Sequence, residues 1–171
     1  DMILAGAATV VTGRPVALSL SYEEHQHYSG KRCPCHSNGR VACDKDGKLT
    51  AVEFDFGMDH GAYSWGGDDI ISKPARFAFF PYHVPHAAGL VRIANTNHTF
   101  GTAYRSYGSP QAYTLSEALV DMLAEKAGID PFEFRLRNIG RPGDTNINSH
   151  EFMQYPFEAM MERMRPHYEK A

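Results

Sequence analysis

The chain has 171 residues, 43% of them hydrophobic, which suits one domain with a real core rather than two. Its net charge of −3 comes from interspersed acidic and basic residues with no basic stripe, which argues against a nucleic-acid partner. No apolar run reaches bilayer-spanning length, and Met2–Val11 follows Asp1 rather than a basic region, so it reads as neither a membrane span nor a signal peptide.

In chain order, Asp1 is read as the cap of a helix over Met2 to Thr12, stopped by Gly13 with Pro15 beyond. Because helix-like sequence starts at once after a residue that is not methionine, the chain reads as a piece of a longer polypeptide, a processed product or one subunit of a split protein. Val16 to Ser21 is apolar and then alternates, predicting a strand. Glu23 to Tyr28 is ambiguous and suits one helical turn. Gly30 to Gly39, broken by Pro34, reads as a loop. Arg40 to Cys43 and Leu49 to Phe56 flank Asp44-Lys45-Asp46-Gly47, a hairpin signal because Gly accepts the positive φ of such turns. Val52, Phe54 and Phe56 share one face of the second strand, with Glu53 and Asp55 on the other. Asp69 to Phe80 is at best weakly helical, and Leu90 to Ala94 predicts a further strand.

Pro110 suits a first helical position, and Leu115, Leu119, Met122 and Leu123 recur at helical spacing, so a helix is expected over Pro110 to Ala127, ended by Gly128. Asp130-Pro131 supplies cap and first residue of a second helix to about Asn138. Arg141 to His150 reads as a polar loop, and Pro156 to Met164 as a last helix. Together these give an α+β fold, a small mixed or antiparallel sheet with helices packed on one face, in a single domain over 1–171.

Cysteines 33, 35 and 43 make an odd count, which argues against a disulfide framework and favours a reduced, cytoplasmic setting. Cys33-Pro34-Cys35-His36, near Cys43, His25 and His27, offers thiolate and imidazole ligands, but C-x-C is not a usual metal spacing, so ordinary loop thiols are expected. His60, His83, His86 and His98 show no nucleophile–base spacing, and no serine elbow or phosphate loop is present. Asp121 and Glu125 read as a solvated helix face.

The chemistry falls on the connection from the strand near Ala94 to the helix at Pro110. It carries Thr102, Tyr104, Arg105, Ser106, Tyr107, Gly108 and Gln111. Small residues let backbone approach a ligand, and amides just before a helix favour anions or electronegative oxygens. On these grounds alone a plain strand-to-helix connection competes with a ligand site.

Tyr104-Arg105-Ser106-Tyr107-Gly108-Ser109-Pro110-Gln111 resembles the aromatic-Arg-Gly-aromatic-Gly-x-Pro-Gln motif of the xanthine dehydrogenase and aldehyde oxidase family of molybdenum hydroxylases. Similarity extends to Thr12-Gly13-Arg14-Pro15-Val16, Ser29-Gly30-Lys31-Arg32, Asp46 to Ala51, Tyr82-His83-Val84-Pro85, Asn95-Thr96-Asn97, Asp121 to Lys126, Asp130-Pro131 and Arg135 to Asn138. Arg141-Pro142-Gly143-Asp144-Thr145 is especially similar to the bacterial molybdenum iron–sulfur aldehyde oxidoreductases.

The resemblance implies that the chain is part of a molybdopterin-binding subunit. Such an enzyme hydroxylates aldehydes or N-heterocycles with water as the oxygen source. Tyr104, Arg105 and Ser106 would lie at a molybdopterin dinucleotide cofactor, the Arg105 backbone amide meeting the molybdenum's oxygen ligands. Tyr107 would line the substrate channel, and Gln111 would support the loop. The family's acid–base glutamate, glycine-rich cofactor loops and iron–sulfur cysteines are not in this chain, so no catalytic residue is assigned, and alone it is expected to hold no cofactor and to be inactive. Implied partners are the remainder of the molybdenum subunit and iron–sulfur and flavin subunits or domains. The isolated chain would expose surfaces buried in the whole and self-associate.

Two departures stand out. Ser106 replaces the family's glycine, and incurs a steric cost if that position has positive φ. Lys73 falls near an arginine of purine-oxidising relatives; it reads either as a channel residue, with Arg76 as a substitute, or as a solvated surface lysine. In Trp65-Gly66-Gly67-Asp68-Asp69, Gly66 and Asp69 fall at apolar channel places, which implies a wider or more polar channel. A competing expectation is a degenerate domain used only for assembly or scaffolding.

Overall fold

A computed structural model describes residues 2–63 and 66–171, with only the backbone described at Gly67 and Asp68. The Asp1 cap and Trp65 lie outside the described residues. The chain divides into two compact units, Asp1–Gly30 and Lys31–Ala171, and the hydrophobic core belongs to the second.

The first unit holds α1 (Met2–Thr12) and α2 (Tyr22–Tyr28). Gly13 at φ 63° ends α1 and donates to Thr9 O at 2.9 Å. Ser21 and Glu24 form a reciprocal capping box that satisfies two amides at the start of α2, so the ambiguous segment is a full helix. The strand expected over Val16–Ser21 does not form: residues 15–20 have no regular structure, and none of the three strands described pairs with them. Alternation alone does not make a strand without a ladder partner.

The second unit is built on β1 (Cys35–Cys43), β2 (Leu49–Gly61) and β3 (His86–Asn95), in the order β1-β2-β3. β1 and β2 form the expected hairpin. Asp44 Oδ1 accepts from the amides of Asp46 and Lys48, both at 2.9 Å, and Gly47 takes φ 76°. β1 starts inside the expected loop, directly after Pro34. β3 runs parallel to β2, so the sheet is mixed. A parallel neighbour requires a crossover, and α3 (Gly67–Phe77) supplies it. That helix was barely legible, because it opens on Gly66-Gly67 and contains Pro74.

Val52, Phe54, Phe56, Met58 and His60 of β2 are all buried on one face. α4 (Ser109–Ala127) packs over β1 and α3 over β3. Each fully buried Phe removes enough apolar area from water to contribute about 2–3 kcal/mol. Phe54 is flanked in register by Gly39 and Gly89. A Cβ at Gly89 would lie 2.1 Å from the Phe54 ring, and one at Gly39 would lie 2.8 Å from Leu119 of α4. The two glycines thus make room for the ring and for the helix. The other face is charged, with Arg40 paired to Glu53 at 3.9 Å and Arg92 to Asp55.

Asp130 caps α5 (Pro131–Asn138) through the amides of Phe132 and Glu133. Buried Asn138 ties this helix to the hairpin, accepting from Leu49 N and donating to the carbonyls of Gly47 and Phe134, each at 2.8 Å. α6 (Phe157–Tyr168) follows the polar loop. Asp121 is not merely solvated: it pairs with Arg135 at 2.7 Å, beside Glu117.

Candidate functional site

The turn from Tyr104 to Gly108 leads straight into α4. Its entrance is fixed by the 31–33 segment. Lys31 N donates to Phe100 O at 3.1 Å, and Thr102 N donates back to Lys31 O at 2.9 Å. Its exit is fixed by Gln111, whose Nε2 donates to Cys33 O at 3.0 Å. Between these points Arg32 Nη2 donates to Arg105 O at 2.6 Å, with the guanidinium 4.9 Å from the centre of the Tyr104 ring.

Ser106 has φ 57°, so the left-handed conformation suspected from the motif is present. Side chains other than glycine pay for it sterically, and serine is short enough to adopt it. Ser109 N donates to Ser106 O at 3.1 Å and closes the turn. Gly108, at φ 78°, is buried against α3; a Cβ there would sit 2.6 Å from Lys73 Cβ and 2.8 Å from Pro74 Cδ. Pro74 has no N–H to give Ile70 O, and Gly108 packs beside that freed carbonyl.

Among the described residues, no group accepts from the amides of Arg105, Ser106 or Tyr107. Successive free amides at a helix start form an electropositive concavity for an oxygen-bearing ligand. Tyr104, Arg105 and Ser106 are exposed around it.

Tyr107 reaches back across the site. Its hydroxyl donates to Asp69 Oδ2, while Asp69 Oδ1 pairs with Lys73 Nζ at 3.2 Å. Lys73 Nζ also lies 5.3 Å from the centre of the Tyr107 ring. The hydrogen bond from Tyr107, then Lys73, holds the Asp69 carboxyl below its usual range; the same bond raises the Tyr107 phenol. Lys73 is only 21% exposed in its side chain, so it is not a solvated surface lysine. Arg76 lies farther off and acts on Asp69 only through its charge. Gly66 caps α3 at φ 71°, with nothing within 4 Å of where its Cβ would be.

Cys33 is the expected loop thiol, though buried with Met58 and Ile70, whereas Cys35 and Cys43 are the ends of β1. All three are free, and burial raises each thiol. Among the described residues, no group of three or more His, Cys, Asp or Glu side chains could hold a metal ion. Sequence reasoning gave Arg32 no role of its own, because no local pattern places residue 32 against residue 105.

This α+β domain presents a clamped turn of free amides at a helix start, an arrangement that suits an anionic or oxygen-bearing ligand. This chain belongs to the molybdopterin cofactor-binding domain family, whose model matches residues 1–139. It is 45% identical over 168 residues to the aldehyde oxidoreductase of Megalodesulfovibrio gigas, covering 98% of this chain and 18% of that protein. It is 33% identical to the nicotinate dehydrogenase large molybdopterin subunit of Eubacterium barkeri, covering 79% of this chain and 32% of that subunit. The solved structure of the aldehyde oxidoreductase from Desulfovibrio gigas superposes with a TM-score of 0.87 at 43% identity, covering 98% of this chain and 18% of that one. The chain thus spans about a fifth to a third of the length of these relatives.

Proposed function

We propose that this chain forms one wall of the molybdenum site in a hydroxylase of the aldehyde oxidoreductase and xanthine dehydrogenase type, with residues 1–171 as one part of its cofactor-binding region. The observation that carries this reading is the Tyr104–Gly108 turn, fixed at both ends and in the middle, with three amides free. The residues present suit a molybdopterin group. The free amides and the buried, unpartnered Arg32 Nη1 are donors, and the buried, unpartnered Gln111 Oε1 is an acceptor. When bound, the group would supply the oxygen-transfer and electron-accepting chemistry of the hydroxylation.

This chain's own residues would bind and orient. Arg105 and Ser106 would present amides to oxygen ligands of the metal, and Tyr104 would lie beside them. Tyr107, Asp69 and Lys73 would shape the approach of substrate. Their ion pair makes that approach polar where an apolar lining would suit hydrocarbon substrates. Proton transfer at the reacting carbon would be done by groups outside this chain, so alone it is inactive.

The reading calls for the remainder of the molybdenum subunit and for iron–sulfur and flavin partners. With three free thiols, a cytoplasmic setting belongs to the same proposal. Among the described residues, no helix is long and apolar enough to cross a membrane. The test is co-expression with the polypeptide carrying the cofactor loops and the glutamate, followed by metal analysis of the purified complex. The reading predicts stoichiometric molybdenum and aldehyde-dependent dye reduction, weaker for apolar aromatic aldehydes than for polar ones. A stable complex without molybdenum would instead support an assembly or scaffolding role.

A further inference from the structure

We propose that Arg32 is a positioning residue for the Tyr104–Tyr107 turn: by holding the Arg105 carbonyl, it aims and polarises the Ser106 N–H toward the ligand the turn receives. This inference rests on the function proposed above and names a residue that acts there without touching the reacting atoms.

The argument starts from the peptide unit. Arg105 C=O and Ser106 N–H belong to one planar trans group and point in opposite directions. A partner that fixes the oxygen therefore fixes the direction of the N–H. Arg32 Nη2 is that partner, at 2.6 Å, and the bond is charge-assisted. Drawing electron density toward the carbonyl makes the N–H on the far side a stronger donor, as in hydrogen-bond chains at low dielectric.

The guanidinium is itself held in place. Its planar group lies 4.9 Å from the centre of the Tyr104 ring, a cation–π distance. Its neighbours Lys31 and Cys33 are tied by backbone groups to Thr102 and Gln111 on either side of the turn. Arg32 Nη1 is buried with no partner, and among the described residues no carboxylate pairs with this guanidinium. Lys73, by contrast, is offset by Asp69. Arg32 thus adds positive charge on the carbonyl side of this peptide, besides that of Arg105 on the turn itself. Lysine could replace the charge but not the stacked, forked geometry.

The test uses the isotope-labelled 171-residue chain as wild type, Arg32→Met and Arg32→Lys, with Arg40→Met as an exposed-arginine control. Losing one charge-assisted bond should speed amide exchange by about tenfold at Thr102 and Ser109, whose N–H groups close the two ends of the turn. It should also move the Ser106 amide resonance upfield while leaving Val52 to Met58 unchanged. Arg32→Lys should fall between the two, and decides the matter if the methionine variant does not fold. Adding millimolar guanidinium to the methionine variant should partly restore the Ser106 shift, which a general loss of stability would not allow. Unchanged turn amides, or equal acceleration throughout β2, would overturn the proposal. In the co-expressed complex, Arg32→Met should lower kcat with molybdenum content retained. A wild-type complex lacking molybdenum would sink the functional reading, and the exchange data would then decide the clamp by themselves.

Discussion

Tyr107, in the turn before α4, donates its phenol proton to the carboxylate of Asp69 in α3, and that one bond joins the crossover helix to the candidate cofactor turn. Asp69→Asn weakens the hydrogen bond that raises the phenol and removes the charge that adds to it. The Tyr107 titration, followed by NMR of ring-labelled tyrosine, should therefore move to lower pH. An unmoved midpoint would show that the two side chains do not share this bond in solution.

Ser106→Gly should stabilise the chain by about 0.5–1 kcal/mol, because glycine takes a left-handed φ without steric cost. Ser106→Val should destabilise it by more. Urea unfolding midpoints read both effects, and a loss of stability with glycine would argue against the observed φ of 57°.

Asp59 accepts from Thr96, Gly61 and His98, and these bonds lower its pKa from 3.8 to about 2. For a depressed carboxylate, the stabilisation is full above the ordinary value and fades as pH falls through the folded one. Asp59→Asn should therefore flatten the acid limb of the stability profile between 3.8 and about 2. Identical acid limbs in both proteins would refute the assignment.

Asn138→Leu should cost about 2–4 kcal/mol, since it strands the Leu49 amide and the Gly47 and Phe134 carbonyls together in the core. Thermal unfolding by circular dichroism measures it. A cost under about 1 kcal/mol would mean that water replaces the side chain.

Met2, Ile3, Leu4, Val10 and Val11 of α1 are all exposed, as are Met160 and Met164 of α6. Such apolar surface predicts self-association of the chain alone. Sedimentation velocity over a concentration series should show a rising sedimentation coefficient, and a constant monomer value would contradict it.

The readable parts of the sequence were those with local causes. Asp130-Pro131 and the capping carboxylate announced α5, and Asp44 to Gly47 announced the hairpin. Pro110 and the leucine spacing announced α4. The unreadable parts depend on partners distant in sequence. Val16 to Ser21 has a strand's alternation but no ladder, while β1 hides its first residues behind Pro34. At the site, the resemblance singled out Tyr104 to Gln111, and the structure adds the contacts of Tyr107 with Asp69 and Lys73. The Arg32–Arg105 bond spans seventy-three residues and leaves no mark in spacing or composition.

The parallel pairing of β2 with β3 bears on how the chain reaches this state. Ala51 meets His86 across that ladder, so the two strands cannot zip from a tight turn and must close over the whole of α3. Contacts of such separation form slowly, after the local hairpin and α4. The bond between Asp69 and Tyr107 depends on that closure, so the candidate site should be among the last parts to assemble during folding.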